Sequence, residues 1–155
     1  MYEWLVLAHI LGVLGFVFSH GVSAAMSLRL RHERNPDRIR VMLQISSSSL
    51  AVFYVSILLL LGGGIWAGFN GHWWDQGWIW VALGVFLANM VFMYAIPARY
   101  YKKIREVMTI EESGSSAVGP DQIEAMLQSN LPMVVTAVGL ASIGFIAYLM
   151  VIKPF

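Results

Sequence analysis

The sequence predicts an all-α integral membrane protein, a four-helix bundle forming a single transmembrane domain over residues 1–155. The composition is 58% hydrophobic and only 12% charged, about half the roughly 25% of charged residues in an average soluble protein. Four apolar stretches, each free of Lys, Arg, Asp and Glu, have about the 20 residues that an α-helix needs to cross a bilayer. The predicted spans are residues 4–28, 46–69, 78–98 and 132–152.

The basic residues predict the orientation of these spans. Nine of the ten Lys and Arg residues lie in the segments 29–45 and 99–131, and none lies in 70–77. Short loops rich in Lys and Arg stay on the cytoplasmic side. We therefore expect inner loops at 29–45 and 99–131, an outer loop at 70–77, and both termini outside. Because positive charges follow the first apolar run and none precedes it, we expect no cleaved signal peptide.

All six tryptophans fall at the outer side of this topology. They are Trp4, Trp66, Trp73, Trp74, Trp78 and Trp80. Indole side chains settle at the headgroup level, so anchoring in the membrane explains the set; a second interpretation is that Trp73 and Trp74 cover a partner or a site. On the inner side, the segment PDQIEAMLQ from Pro120 predicts a short amphipathic helix in the connection between spans three and four.

Small residues recur in three spans and suggest how the helices associate. Helices in lipid pack through close approach of small side chains, and the second span offers Gly62, Gly63, Gly64 and Gly68, the last two in GxxxG spacing. The same residues also suit a kink or the face of a flat cofactor. Asn89 is the strongly polar side chain in the middle of the third span, for which we expect an interhelical hydrogen bond.

Two histidines in the first span, His9 and His20, are the main functional signal, because imidazoles at membrane depth are uncommon. They are eleven residues apart, which places them about 20° apart around the helix and about 16.5 Å apart along it. One metal ion cannot bind both, since metal–nitrogen bonds are only about 2 Å long. The spacing therefore allows two separate sites, one in each leaflet.

Three interpretations of these histidines stay open. Membrane b-type cytochromes hold haem through axial imidazoles, which makes His9 and His20 candidate haem b ligands. Copper binding or proton transfer is the second interpretation, and the third is purely structural hydrogen bonding with no cofactor. The candidate metal ligands are His9, His20, His72, Met90 and Met93. Missing ligands would come from methionine or from a second copy of the chain.

Three motifs support a family resemblance. They are LAHILGVLGFV in the first span, the basic loop RLRHERNPDR and the glycine-rich GGGIWAG of the second span. With them the chain resembles bacterial four-helix predicted integral membrane proteins allied to the membrane domain of copper-resistance protein D (CopD), over about the first two-thirds of its length. The resemblance implies a multi-pass protein of the bacterial cytoplasmic (inner) membrane, with copper handling or haem binding in some relatives. It carries over His9 alone, since relatives usually have a small residue in place of His20.

Composition excludes several functions. The absence of cysteine removes disulfides and thiolate chemistry, and the net charge of +1 argues against nucleic acid. The sequence carries no phosphate-binding loop or HExxH motif. We expect a small membrane protein that is not an independent enzyme and has three candidate roles: haem b binding in electron transfer, copper handling or transport, and an accessory subunit. Its expected partners are the lipid bilayer and either further copies of the chain or other membrane subunits.

Overall fold

The structure is a computed structural model that describes the backbone of residues 1–112 and 126–155 and the side chains of residues 1–107 and 126–155. Within these ranges the chain forms helices and no strands. The long helices are α1 (Tyr2–Leu30), α2 (Pro36–Asn70), α3 (Gly77–Ala95), α4 (Pro97–Glu112) and α5 (Leu131–Ile152). The spans long and apolar enough to cross a membrane begin at Tyr2, Pro36, Gly77 and Leu131. The predicted all-α fold with four spans is therefore confirmed.

Helix α2 starts ten residues before the predicted second span, inside the basic segment. The side chain of Asn35 accepts hydrogen bonds from the backbone N–H groups of Asp37 (2.9 Å) and Arg38 (3.2 Å). Pro36 occupies the first turn, where its missing N–H costs nothing. The connection between α1 and α2 is therefore a tight turn, and the arginines that follow it lie on a helix that continues into the membrane.

The third span is interrupted at Pro97. Proline lacks the N–H that would continue the helical ladder and disfavours helical backbone in the residue before it. Helix α3 accordingly ends at Ala95, and α4 resumes at Pro97 with the basic residues of the predicted inner loop. The amphipathic helix predicted from Pro120 lies mostly outside the described residues, which include Met126 and Leu127 of that segment in helical conformation.

Helices α1 and α2 form a tightly packed antiparallel pair. The position that a Cβ atom would take at Gly63 is 2.7 Å from the backbone nitrogen of His9 and 2.8 Å from the carbonyl oxygen of Leu5. At Gly12 it would lie 2.8 Å from the carbonyl oxygen of Ser56. Two glycines therefore bring the two backbones into contact, as close packing of membrane helices requires.

Helices α3 and α5 form the second pair, joined through Trp78, Ala82 and Leu149. The pairs meet at Phe16 of α1, whose ring lies 5.4 Å from that of Phe53 and 5.8 Å from that of Phe86, between centroids.

The two ends of the bundle have different characters. We call the end that carries the six tryptophans the tryptophan end, and the end with the α1–α2 turn the arginine end. At the arginine end, α1, α2, α4 and the segment before α5 enclose an apolar core. It consists of Leu30, Ile39, Leu43, Ile104, Val107 and Leu127. Apolar side chains therefore fill the arginine end, whereas the tryptophan end contains a cavity.

Candidate functional site

An apolar cavity of about 490 Å³ lies at the tryptophan end, between the α1–α2 pair and the α3–α5 pair. All four spans contribute to its walls, and its volume falls in the range of about 300–1,000 Å³ that is usual for small-molecule and cofactor sites. Phe16 forms part of the wall on the side of the arginine half. The cavity therefore has the size and surface of a site for an apolar ligand.

His9 places an imidazole in the wall of this cavity. Its Nδ1 lies 2.7 Å from the carbonyl oxygen of Leu60. A carbonyl oxygen only accepts hydrogen bonds, so Nδ1 carries the proton and Nε2 keeps a free lone pair. The ring rests on Gly64, where a Cβ atom would come within 2.7 Å of Nδ1. Helix α2 thus fixes both the orientation and the tautomer of His9 and leaves Nε2 available to a ligand.

The loop between α2 and α3 and Lys153, which follows α5, border the cavity at the tryptophan end. Trp73, Trp74 and Trp78 all line it. The indole N–H of Trp73 donates to the hydroxyl of Tyr2 at 3.4 Å, and the backbone N–H of Trp78 donates to the carbonyl oxygen of Phe155 at 3.2 Å. Trp73 and Trp74, for which the sequence also allowed a covering role over a partner or a site, thus border the cavity together with Trp78.

The other tryptophans fit the anchoring interpretation. Trp4, Trp66 and Trp80 are 73%, 62% and 57% exposed on the outside of the bundle, where a bilayer surrounds them. In the GxxxG pair, Gly64 lies under the ring of His9 of α1, and the Cβ position of Gly68 lies 3.2 Å from the indole of Trp74. These two glycines make room for side chains at the cavity, while Gly12 and Gly63 bring the backbones together.

His20 lies outside the cavity wall, one helical turn beyond Phe16. The two rings are stacked, with centroids 6.2 Å apart and planes 4° from parallel. Its Nε2 is buried, faces Gly139 of α5 and has no hydrogen-bond partner among the described residues. His9 therefore contacts α2 and His20 contacts α5, although the sequence places them on one face of α1.

The remaining candidate ligands are scattered. His72 lies in the loop between α2 and α3 with φ of 55° and is exposed. Neither His72 nor Met90 nor Met93 lines the cavity, whereas Met150 of α5 does. Within the described part of the chain no three His, Cys, Asp or Glu side chains come together as a metal site. The sequence does not identify Met150 as a site residue, because hydropathy does not reveal which face of the fourth span points towards the other helices.

The interhelical hydrogen bond predicted for Asn89 does not form in the described structure. Its Oδ1 is buried without a hydrogen-bond partner. A buried polar group left in this state costs about 1–3 kcal/mol. The helix pairs are therefore held together by packing and not by this amide.

Asn89→Leu is expected to leave the protein equally stable or to stabilise it by up to about 1–3 kcal/mol, because leucine has the same branched shape and no polar atoms. The apparent Tm in detergent would then rise, by about 2–4 °C for each kcal/mol. Thermal unfolding followed by circular dichroism measures this change. A marked fall in Tm would contradict the assignment and indicate a bonded partner for the amide.

The fold and the cavity together define the class of this molecule: a multi-pass integral membrane protein with a ligand-sized cavity among its helices. The chain belongs to the DUF2269 family, described as "Predicted integral membrane protein", whose sequence profile matches residues 3–154. No curated protein and no solved structure gives a match. Family membership supports a lipid bilayer as the surroundings of the whole chain, while the alliance with the CopD domain stays a prediction.

Proposed function

We propose that this protein is a haem b-binding protein of the bacterial inner membrane that acts in electron transfer and holds the cofactor through His9. The observation that carries the proposal is the hydrogen bonding of that side chain. Its Nδ1 donates a hydrogen bond to the carbonyl oxygen of Leu60 at 2.7 Å, and the ring lines an apolar cavity of about 490 Å³. Histidines that ligate metals donate the other ring N–H in this way.

The residues around the cavity fit a flat, largely apolar cofactor. The walls are formed by aliphatic and aromatic side chains from four helices, and Gly64 and Gly68 give room to the rings of His9 and Trp74 in these walls. Met150 lines the same cavity and would be a second residue able to hold the haem, since methionine is a haem ligand in some proteins. When bound, haem would supply reversible one-electron chemistry at its iron.

The protein's own residues would orient the cofactor and exclude water. The carbonyl group of Leu60 fixes the ring of His9 and raises the basicity of Nε2. Phe16 separates the cavity from the arginine half of the bundle, and Trp73, Trp74 and Trp78 border it towards the membrane surface. Burial in apolar surroundings is one of the means by which proteins set the potential of a haem.

Absorption spectra of His9→Ala and of two matched histidine variants test the proposal. The full chain, purified in detergent and supplied with haem b, is expected to give a Soret band and a reduced α-band of the b type. His9→Ala is expected to bind haem at least tenfold more weakly and therefore to lose most of this absorbance. His32→Ala, exposed near the α1–α2 turn, and His20→Ala, outside the cavity wall, are expected to keep it.

Two outcomes would contradict the assignment. The absence of a Soret band after haem is added to the wild-type protein would refute the proposed haem binding. A band that survives in His9→Ala but disappears in His20→Ala would place the cofactor in the arginine half instead.

Copper handling finds less support in the geometry. His9 and His20 lie against different helices, and Met90 and Met93 do not line the cavity. A copper site would therefore need ligands from a second copy of the chain or from another subunit. The accessory-subunit role stays an expectation from the sequence.

A further inference from the structure

Lys153 occupies an unusual place at the border of the cavity. It follows α5 directly, with φ of 49° and ψ of 60°, in the left-handed region that side chains other than glycine seldom adopt. Its backbone N–H donates to the carbonyl oxygen of Leu149 at 3.0 Å, which closes the helix. This turn ends the helix and leaves the Lys153 side chain beside the loop between α2 and α3.

The ammonium group of Lys153 rests on tryptophan. Its Nζ lies 3.8 Å from the ring centroid of Trp73 and 6.0 Å from that of Trp78. The negative face of an indole attracts a cation and holds it in place. Lys153 also lines the cavity. A positive charge is therefore fixed at the border of a site whose walls are otherwise apolar.

No carboxylate of the described residues neutralises this charge. The other nine basic residues all belong to the two segments at the arginine end. The acidic residues near Lys153 in the topology are Glu3 and Asp75, and among the described residues no carboxylate lies within 4.0 Å of its Nζ. The Lys153 side chain is exposed, so an anion can reach the ammonium group and form a charge-assisted hydrogen bond with it.

We propose that Lys153 is an anion-binding residue of the cavity and that the ligand is an amphiphile with a planar apolar body and a carboxylate at one edge. The inference rests on the proposed function, for which it selects an orientation: the propionate edge of haem b faces the tryptophan end and pairs with Lys153, while the ring lies beside His9. An apolar cavity with one imidazole in its wall and one ammonium group at its border is complementary to such a molecule.

Titration of haem b and of its dimethyl ester into the purified full chain tests the inference, because the ester keeps the apolar ring and lacks the negative charges. The Soret absorbance gives both affinities. The wild type is expected to bind the acid about tenfold more tightly than the ester. Lys153→Met is expected to lose this preference by weakening the acid alone, and Lys153→Arg to keep it. Lys103→Met, which removes an exposed charge at the arginine end, serves as the matched control.

The outcomes separate this inference from the haem proposal. Equal weakening of acid and ester by Lys153→Met would indicate a structural role and overturn the inference, as would a wild type that binds both equally. If the wild type binds neither porphyrin, the haem proposal fails, and palmitate and methyl palmitate become the probes, with native mass spectrometry as the readout. A preference for palmitate that Lys153→Met abolishes would then support anion binding, and the absence of any preference would refute it.

Discussion

Gly63→Ala is expected to destabilise the protein by about 3 kcal/mol or more, whereas Gly62→Ala, at the adjacent residue, is expected to be neutral or slightly stabilising. At Gly63 the new methyl group would meet backbone atoms of α1 at 2.7 and 2.8 Å. Backbone cannot rotate away as a side chain can, so the two helices must separate. Overpacking of this kind costs about 1–3 kcal/mol, occasionally more.

Gly62 provides the control because no atom lies within 4 Å of its Cβ position. Alanine is the better helix former by roughly 1 kcal/mol in water, so both variants gain equally from propensity. The difference between their Tm values in the same detergent therefore measures the helix contact alone. Equal Tm values for the two variants would show that α1 and α2 do not approach at Gly63.

Phe16→Ala is expected to destabilise the bundle by about 3–5 kcal/mol, the usual cost of removing a buried phenylalanine. The ring is only 9% exposed and contacts aromatic rings on both sides of the bundle. Circular dichroism during heating gives the stability change.

Phe18→Ala is the control for this experiment. Phe18 lies two residues further along α1 but is 65% exposed on the outer surface of the bundle, so its truncation exchanges a lipid contact and is expected to change stability little. A loss of stability at Phe18 as large as that at Phe16 would mean that the outer face of α1 is covered, for example by a second copy of the chain.

The number and approximate position of the spans follow from hydropathy, because only uncharged apolar segments of this length tolerate the bilayer interior. The ends of the helices do not follow in the same way. Hydropathy reports where the membrane begins, while the start of α2 is set by Asn35 and Pro36, ten residues earlier in a charged segment. Those two residues do form a recognisable helix-start signal.

The candidate site is less accessible to prediction because it depends on how the helices cross. Gly62, Gly63 and Gly64 are chemically identical, yet successive residues point about 100° apart. One faces lipid, the next faces the backbone of α1, and the third lies under His9. Likewise, His9 and His20 share a face of α1, but the helix opposite that face is α2 near one residue and α5 near the other. The cavity and its border at Lys153 emerge only from this arrangement.

The cavity is lined by residues as far apart in the chain as Tyr2 and Lys153. The α1–α2 pair, in contrast, consists entirely of residues within the first 71 of the chain. During synthesis the N-terminal pair is therefore complete well before the binding site exists. The cavity forms only when α5 docks against helices that are already in place. Loading of a ligand would then report that α5 has docked, because a chain without α5 has the histidine but lacks one wall of the cavity.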